Sequence, residues 1–448
     1  MPWDPFNSLP AARWWLWLAV AAVACTLQGP DFVRRLRPAP TKGVDFFQEW
    51  ASAKNYWHGL PIYASHRVTI PKYLGYQIGE AAEDVSGDAA GRVRVGLEVN
   101  AHPPTSVLMV LPFAALDYSN ATLAWNLLSL LALGISLWLL CRGLGVDWSP
   151  WALLPLIGLL LLCSPFRHQM NQGQLNLVLL LLLTLVWAAA RADRPIWAGV
   201  FLGVATAFKF FPGFLLLHFA AQRRWNIVAA ALMALVAITV LTAVVLQPVT
   251  YTTYVSDVLP QVGEFRADWL NSSIAGLGTK LFDPLSQRRN VVLLWANEPL
   301  ARLVGILGSA VVLLLWLHAQ RRARTARDQD FAFGLSVITM LLVSPITWDH
   351  YFLLLIIPLA ILWVSLPETT TARVAFLLVI LLLCLPPIPL WERFIPGGQN
   401  GTAHPVHTLT VLSYGLYGLL ALFALGYLRL VKSTSQQRAS FATESAAG

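Results

Sequence analysis

Apolar residues along this chain gather into long unbroken runs, not into the short alternation of half-buried strands or the striped pattern of surface helices. A helix needs roughly 17–25 apolar residues to cross the hydrocarbon of a bilayer. Runs near that length stand at 14–28, 120–141, 174–190, 225–247, 301–318, 350–366, 373–391 and 409–431. Shorter or interrupted runs at 103–117, 150–163, 196–208, 210–222 and 331–343 cross only by tilting, re-entering or pairing with a neighbour. The pattern predicts an all-α, polytopic membrane protein of about ten to thirteen crossings, because in lipid only a helix satisfies its own backbone. Residues 1–432 form one multi-pass domain on this pattern, and the small polar residues 433–448 a disordered cytoplasmic tail.

Composition agrees. Of 448 residues, 57% are hydrophobic and 12% charged, about half the charged share of a soluble domain. The net charge of +8 comes from short basic clusters between apolar runs, which the positive-inside rule explains without a nucleic-acid partner. Cys25, Cys141, Cys163 and Cys384 lie in or beside apolar segments without a CxxC pair, and read as packing residues. The Trp-rich start suits an uncleaved first span better than a signal peptide.

Orientation follows from arginine and lysine. Arg223 and Arg224, the cluster Arg321, Arg322, Arg324 and Arg327, and Arg429, Lys432 and Arg438 mark the cytoplasmic side. Loops 248–300 and 392–408 and the turn Ser344 to Asp349 then fall outside, with the polar stretch 29–102. Between 103 and 222 charge alone leaves the parity open.

The outer stretch holds DFFQEWASAKNYWHGL, residues 45–60, whose Phe46, Phe47, Trp50, Ala53 and Trp57 recur at helical spacing. An interfacial amphipathic helix is predicted, closed by Gly59-Leu60-Pro61. Asp45 heads it and Glu49 follows one turn later. A carboxylate there suits general-base work on an acceptor hydroxyl, or is simply a first-turn acid favoured by the helix dipole. Two carboxylates without further ligands make a poor metal site, so no metal or other cofactor is assigned, a divalent ion being left open.

Lys209 interrupts an apolar segment three residues before Pro212. A cation at membrane depth beside a broken helix either holds a phosphate or snorkels to the interface. SPFRHQMNQGQLN, residues 164–176, collects Arg167, His168, Gln169, Asn171, Gln172, Gln174 and Asn176, as a site wall or a polar loop. SPITWDHY, residues 344–351, puts Trp348, Asp349 and His350 at the mouth of the next span, where His350 is a phosphate donor or a wetted tip. Asn271 and Ser272 precede a glycine in the outer loop, as ligands or as a helix cap.

In order, these pieces resemble the GT-C glycosyltransferases of family GT87, also called DUF2029, which includes polyprenol-phosphate-mannose-dependent mannosyltransferases. The resemblance runs from about Asp45 to Leu366 over Gly59, Pro61 and Tyr63, Pro103-Pro104 with Pro112, Gly173-Gln174-Leu175-Asn176, Lys209 with Pro212, Asn271-Ser272, and Ser344-Pro345 with Trp348 and His350. It departs from the family pattern at Thr347, Asp349 and Ser273. The resemblance implies a GT-C-like bundle with Asp45 as catalytic base. Lys209, His350, Asn271, Gln174 and Arg167 would bind the donor, with Glu49 and Trp348 in support. It further implies a sugar, in first place mannose, carried on a polyprenyl phosphate to a lipid or glycan acceptor at the outer face of the cell membrane, with inversion. A rival is a secondary transporter or flippase, which shares many spans, broken helices and an intramembrane lysine. Related halves are not visible, and convergence of Asp45 with Lys209 at a surface or at mid-bilayer separates the two readings.

Overall fold

The structure is a computed structural model that describes residues 11–39, 43–75, 99–146, 156, 158–366 and 369–447. Its elements are helices joined by turns, and among the described residues the one β-contact is an isolated bridge between Val291 and Ala403. In chain order the helices used below are α1 (Ala11–Leu36), α2 (Phe46–Trp57), α3 (His66–Leu74), α4 (Pro104–Val110), α5 (Tyr118–Leu144), α6 (Ser164–Gln172), α7 (Asn176–Arg191), α8 (Pro195–Phe208), α9 (Phe214–Ala221), α10 (Trp225–Leu246), α11 (Ile274–Phe282), α12 (Glu298–Gln320), α13 (Ala326–Val343), α14 (Ile356–Trp363), α15 (Thr370–Cys384) and α16 (Tyr414–Ala447). The chain is an all-α polytopic membrane protein. The predicted run 150–163 lies largely outside the described residues, as does most of 64–100. Helix α16 runs on through Ser433 to Ala447, where a disordered tail was expected.

Among the described residues, four helical stretches, Tyr118–Leu144, Trp225–Leu246, Glu298–Gln320 and Pro405–Val431, are each long and apolar enough to cross a membrane. Ser164–Gln172 with Asn176–Arg191, bent by 115°, and Thr370–Cys384 with Pro387–Phe394, bent by 81°, bring the number to six if each is one span. Ten to thirteen crossings were expected; the remaining described segments are short or charged at one end. Pro195–Phe208 and Phe211–Ala221 are halves of a segment broken at Lys209, and α13 carries Arg327, Asp328 and Asp330 in its first turns.

Contacts between distant segments sort the molecule into two ends. At one, Arg224 reaches the carbonyl of Ala190 and the carboxylate of Asp193, Arg191 pairs with Asp330, and Gln320 donates to the carbonyl of Ala332. This is the basic end. At the other, Asp45 meets Gln174, His168 meets Asp349, Asn271 meets Pro345, Thr105 meets Tyr251 and Val291 meets Ala403. The parity that charge left open is therefore resolved relative to its neighbours. Residues 164–176 sit at the end with Asp45, and 190–194 at the basic end.

Small residues let the helices close. A Cβ on Gly199 or Gly203 of α8 would come within 2.5 Å of Ala230 Cβ or 2.4 Å of the Ala231 carbonyl of α10. That Gly-x-x-x-Gly spacing brings two backbones together as membrane helices do when apolar burial supplies no drive. Inside the bundle, Trp316 and Gln320 both donate to the Ser336 hydroxyl, at 2.8 and 3.1 Å, and His218 lies 2.9 Å from it. Outward, Met233, Val236, Val240 and Val244 of α10 and Leu303, Ile306, Leu307 and Leu314 of α12 are exposed, as lipid-facing positions are.

Candidate functional site

Helix α2 does not lie open at an interface. Phe46, Phe47, Trp50, Ala51 and Ala53 are buried, and so are Glu49, Ser52 and Asn55 on what the pattern made its polar face. Residues 99–103 cover that face. Asn100 donates to the Ser52 hydroxyl at 3.1 Å, the Ala101 N–H to Gln48 Oε1 at 3.1 Å, and His102 Nδ1 pairs with Glu49 Oε1. Trp57 alone of the expected apolar stripe is exposed. Glu49, expected as an exposed supporting acid, is thus 2% exposed and faces His102.

This packing fixes Asp45 at the head of the helix. Its carboxylate makes no capping bond to α2. It turns instead to the break between α6 and α7, where Gln174 Nε2 donates to Asp45 Oδ2 at 2.7 Å and the Asp45 N–H donates to Gln172 Oε1 at 3.2 Å. Burial is the largest influence on Asp45 and raises its pKa above the ordinary 3.8; the Gln174 hydrogen bond lowers it and the Glu49 charge raises it. A carboxyl group so placed keeps a proton more readily than a solvated one, and is a stronger base once that proton is lost.

The α6–α7 break is built by Gly173, which ends α6 with a left-handed φ of +63°. Behind it, Trp125 of α5 donates to the Gly173 carbonyl at 2.8 Å, and Phe46 stacks on Trp125 with ring centroids 5.3 Å apart. Gln169 donates to the Gln174 carbonyl and accepts from Asn176 Nδ2 at 3.0 Å. The second end of the Gln174 carboxamide and Asn176 then face Lys209, whose Nζ donates to Gln174 Oε1 at 3.3 Å and Asn176 Oδ1 at 3.2 Å.

Lys209 stands where α8 stops. Its backbone is extended, with φ −145° and ψ 135°, and the short turn Phe211–Gly213 begins the next half-helix. The side chain is 5% exposed and does not snorkel to water. Its ammonium lies 4.5 Å from the ring centroid of Tyr351. Both its oxygen partners are neutral, so its charge is hydrogen-bonded and left without a direct counter-ion among the described residues.

The turn 344–350 closes the site. Asn271 shapes it: Nδ2 donates to the carbonyls of Arg266 and Pro345, both at 3.0 Å, and Oδ1 accepts the N–H of Thr347 at 3.0 Å and of Ser273 at 3.1 Å. Its carboxamide is thus bonded to backbone on both its nitrogen and its oxygen. Arg167 meets α1 instead: its guanidinium donates to Gln28 at 3.0 Å. The next residue, His168, faces the site instead, and its Nδ1 lies 2.7 Å from Asp349 Oδ1. Trp348 lies parallel to His350 at 6.2 Å and edge-on to Phe265. His350 meets the His168 ring edge-on at 4.9 Å and Tyr351 at 5.0 Å.

Asp45, Gln174, Lys209 and His350 thus come together from four distant stretches at the end opposite the basic loops, with Trp348 at their rim. His168, Asn176, Asp349 and Tyr351 join them, although no role was assigned to these from the sequence. Among the described residues, His168, Asp349 and His350 offer ligand atoms within 4.8 Å of one another.

Comparison with known proteins bears on this arrangement. The sequence model of glycosyltransferase family 87 matches residues 100–345, more than half of the chain. The polyprenol-phosphate-mannose-dependent alpha-(1-2)-phosphatidylinositol mannoside mannosyltransferase of Mycobacterium tuberculosis is 26% identical over 268 residues. That similarity covers 56% of this chain and 58% of the mycobacterial protein, so the chain spans under two thirds of this relative's length. The family match contains His168, Gln174 and Lys209, and ends before Trp348.

Proposed function

Since this chain belongs to glycosyltransferase family 87, we propose that it is a membrane glycosyltransferase whose reaction takes place between Asp45 and Lys209. The observation that carries this reading is the single carboxamide of Gln174, which donates to the Asp45 carboxylate and accepts from the Lys209 ammonium. A base and a cation a few ångströms apart suit two ends of one displacement. The carboxylate takes the proton from an acceptor hydroxyl, and the cation stabilises the charge that develops on a departing phosphate.

The donor proposed is a sugar on a polyprenyl phosphate, in first place mannose, on the strength of the mycobacterial relative's name. The acceptor hydroxyl, relieved of its proton by Asp45, attacks the anomeric carbon from the face opposite the phosphate. The carbon–oxygen bond to phosphate breaks, the configuration inverts, and lipid phosphate leaves toward Lys209 and His350. Gln174 keeps the base and the cation in register. The acceptor is a lipid or glycan. The basic end is the cytoplasmic one in this proposal, which sets the site at the outer face of the cell membrane. Convergence of Asp45 with Lys209 at a loop-rich end of the bundle supports transfer over transport, whose sites lie near mid-bilayer.

The test is sugar transfer by purified wild type and Asp45→Asn in one lipid mixture, with donor binding measured alongside. Positioned bases contribute about 10²–10⁴ in rate, so Asp45→Asn should bind donor and lose turnover by at least the lower figure. Transfer by Asp45→Asn at the wild-type rate would place the base elsewhere.

A further inference from the structure

We propose that His168, Asp349 and His350 form a binding site for one first-row divalent transition-metal ion, set to take a phosphate oxygen of the donor as a further ligand. The phosphate part rests on the function proposed above; the metal site stands on its own geometry.

His168 comes from α6, and Asp349 and His350 from the turn into the next segment, 181 residues along the chain. Asp349 Oδ1 lies 2.7 Å from His168 Nδ1 and 3.5 Å from His350 Nδ1. An ion held at about 2.0–2.2 Å by nitrogen and carboxylate oxygen separates neighbouring ligands by roughly 2.9–3.5 Å, between right-angled and tetrahedral arrangements. The two separations from Asp349 are near that spacing, and all three ligand atoms lie within 4.8 Å of one another.

A hydrogen-bonded His–Asp pair alone accounts for only part of this. Asp349 Oδ1 is occupied by His168 Nδ1 and by the His350 N–H at 2.8 Å. Asp349 Oδ2 and His350 Nδ1 are buried and have no hydrogen-bond partner among the described residues. Both residues are 4% exposed. Buried carboxylate oxygens and ring nitrogens are nearly always satisfied, and two orphans side by side point to something that satisfies both. A cation does so, since each offers it a lone pair.

The donor set selects the ion class. Two imidazole nitrogens and one carboxylate oxygen suit manganese, iron, cobalt or zinc, whereas magnesium and calcium favour oxygen shells. Three protein ligands also leave a coordination position open, as metal sites that bind substrate do. Lys209 stands beside this group across the Tyr351 ring, which its ammonium faces at 4.5 Å. A phosphate between ammonium and metal ion meets positive charge on both sides, and His350 acts on it through the ion.

Cobalt(II) is the probe, because its visible bands report nitrogen and oxygen ligation directly. Purified full-length protein, with any histidine tag removed, is titrated with Co²⁺ in detergent with no sugar donor present. Wild type should bind one Co²⁺ per chain, and His168→Gln, Asp349→Asn and His350→Gln should each weaken binding by about tenfold or more. If a buried-site variant fails to hold the wild-type melting temperature, His168→Gln decides, its side chain being 24% exposed. Equal Co²⁺ affinity in wild type and in folded variants overturns the site. Added polyprenyl phosphate should tighten Co²⁺ binding in wild type, and an unchanged affinity overturns the phosphate link. Co²⁺ bound without any sugar transfer would sink the proposed reaction and leave the site intact; transfer with no Co²⁺ bound would do the reverse.

Discussion

The indole N–H of Trp125 donates to the carbonyl of Gly173 at 2.8 Å, tying the first third of α5 to the turn from which Gln174 reaches both Asp45 and Lys209. The Asp45 carboxylate and the Lys209 ammonium are therefore linked through a residue that belongs to neither segment, and that residue follows a left-handed glycine.

Gly173→Ala tests that dependence. An L-residue in the left-handed region costs roughly 1–2 kcal/mol, and the added Cβ would stand 2.8 Å from Phe46 Cβ on the helix that Asp45 heads. The variant should melt lower than wild type. Its turnover should fall further than stability alone explains, since relief of the clash moves Phe46 or the turn. Wild-type turnover in a folded Gly173→Ala protein would show that Asp45 and Gln174 tolerate a shift of α2.

Lys209→Met removes the ammonium and keeps an unbranched apolar side chain. Charge-assisted hydrogen bonds contribute about 1.5–3 kcal/mol, so affinity for polyprenyl-phosphate sugar should drop roughly tenfold to a hundredfold. Stability should hold or rise, because a buried cation with only neutral hydrogen-bond partners is relieved of its desolvation. Isothermal titration with the donor checks the first expectation and a thermal melt the second. Unchanged donor affinity would make Lys209 a structural strut between α7 and α8.

The pH profile carries the signature of Asp45. Its folded-state pKa is raised, chiefly by burial, so the carboxylate becomes protonated, and transfer fails, at a higher pH than an exposed aspartate would set. The linked effect on stability has the opposite sense. The folded protein holds a proton that the unfolded chain releases, so this group's contribution weakens as pH climbs from the ordinary value through the raised one. Glu49 adds a like charge that raises Asp45 further. Glu49→Gln should therefore move the acid limb of the transfer rate to lower pH while sparing most of the turnover at its plateau. An acid limb that stays in place would mean that another group sets it.

Topology is tested by placing single cysteines at the two ends in a background whose four native cysteines are serine. Thr402→Cys, beside the Val291–Ala403 bridge, should react with an impermeant maleimide in intact cells. Ala326→Cys, at the start of α13, should react only after permeabilisation. The opposite pattern would put the site on the cytoplasmic side.

What the sequence disclosed, and what it hid, follows from the range over which each signal acts. The apolar runs are local, since a crossing helix must carry its own solvation, and α5, α10, α12 and α16 were legible from that alone. Lys209 was legible because a cation in an apolar stretch beside a proline needs a reason. Glu49 was misread: the polar face of α2 looks solvated in a helical projection, but residues 99–103 fold over it and His102 meets the acid 53 residues away. His168 and Asp349 stood out only as members of two polar segments, and that they pair lay in a contact across 181 residues. Asn271 and Arg167 stood out for their donor chemistry alone, and the backbone partners of one and the Gln28 contact of the other come from segments far along the chain.

The separations that hid these contacts also order the making of the protein. Asp45 leaves the ribosome 129 residues ahead of Gln174, and His168 waits a further 181 for Asp349. Until Gln174 is made, then, the chain holds a carboxylate whose partner does not yet exist, and helices already threaded into lipid must keep their loop-rich ends adjustable until the turn at 344–350 arrives. A nascent chain truncated before that turn has its base and cation but not the wall behind them. The turn at 344–350 is thus what converts a set of inserted helices into a site.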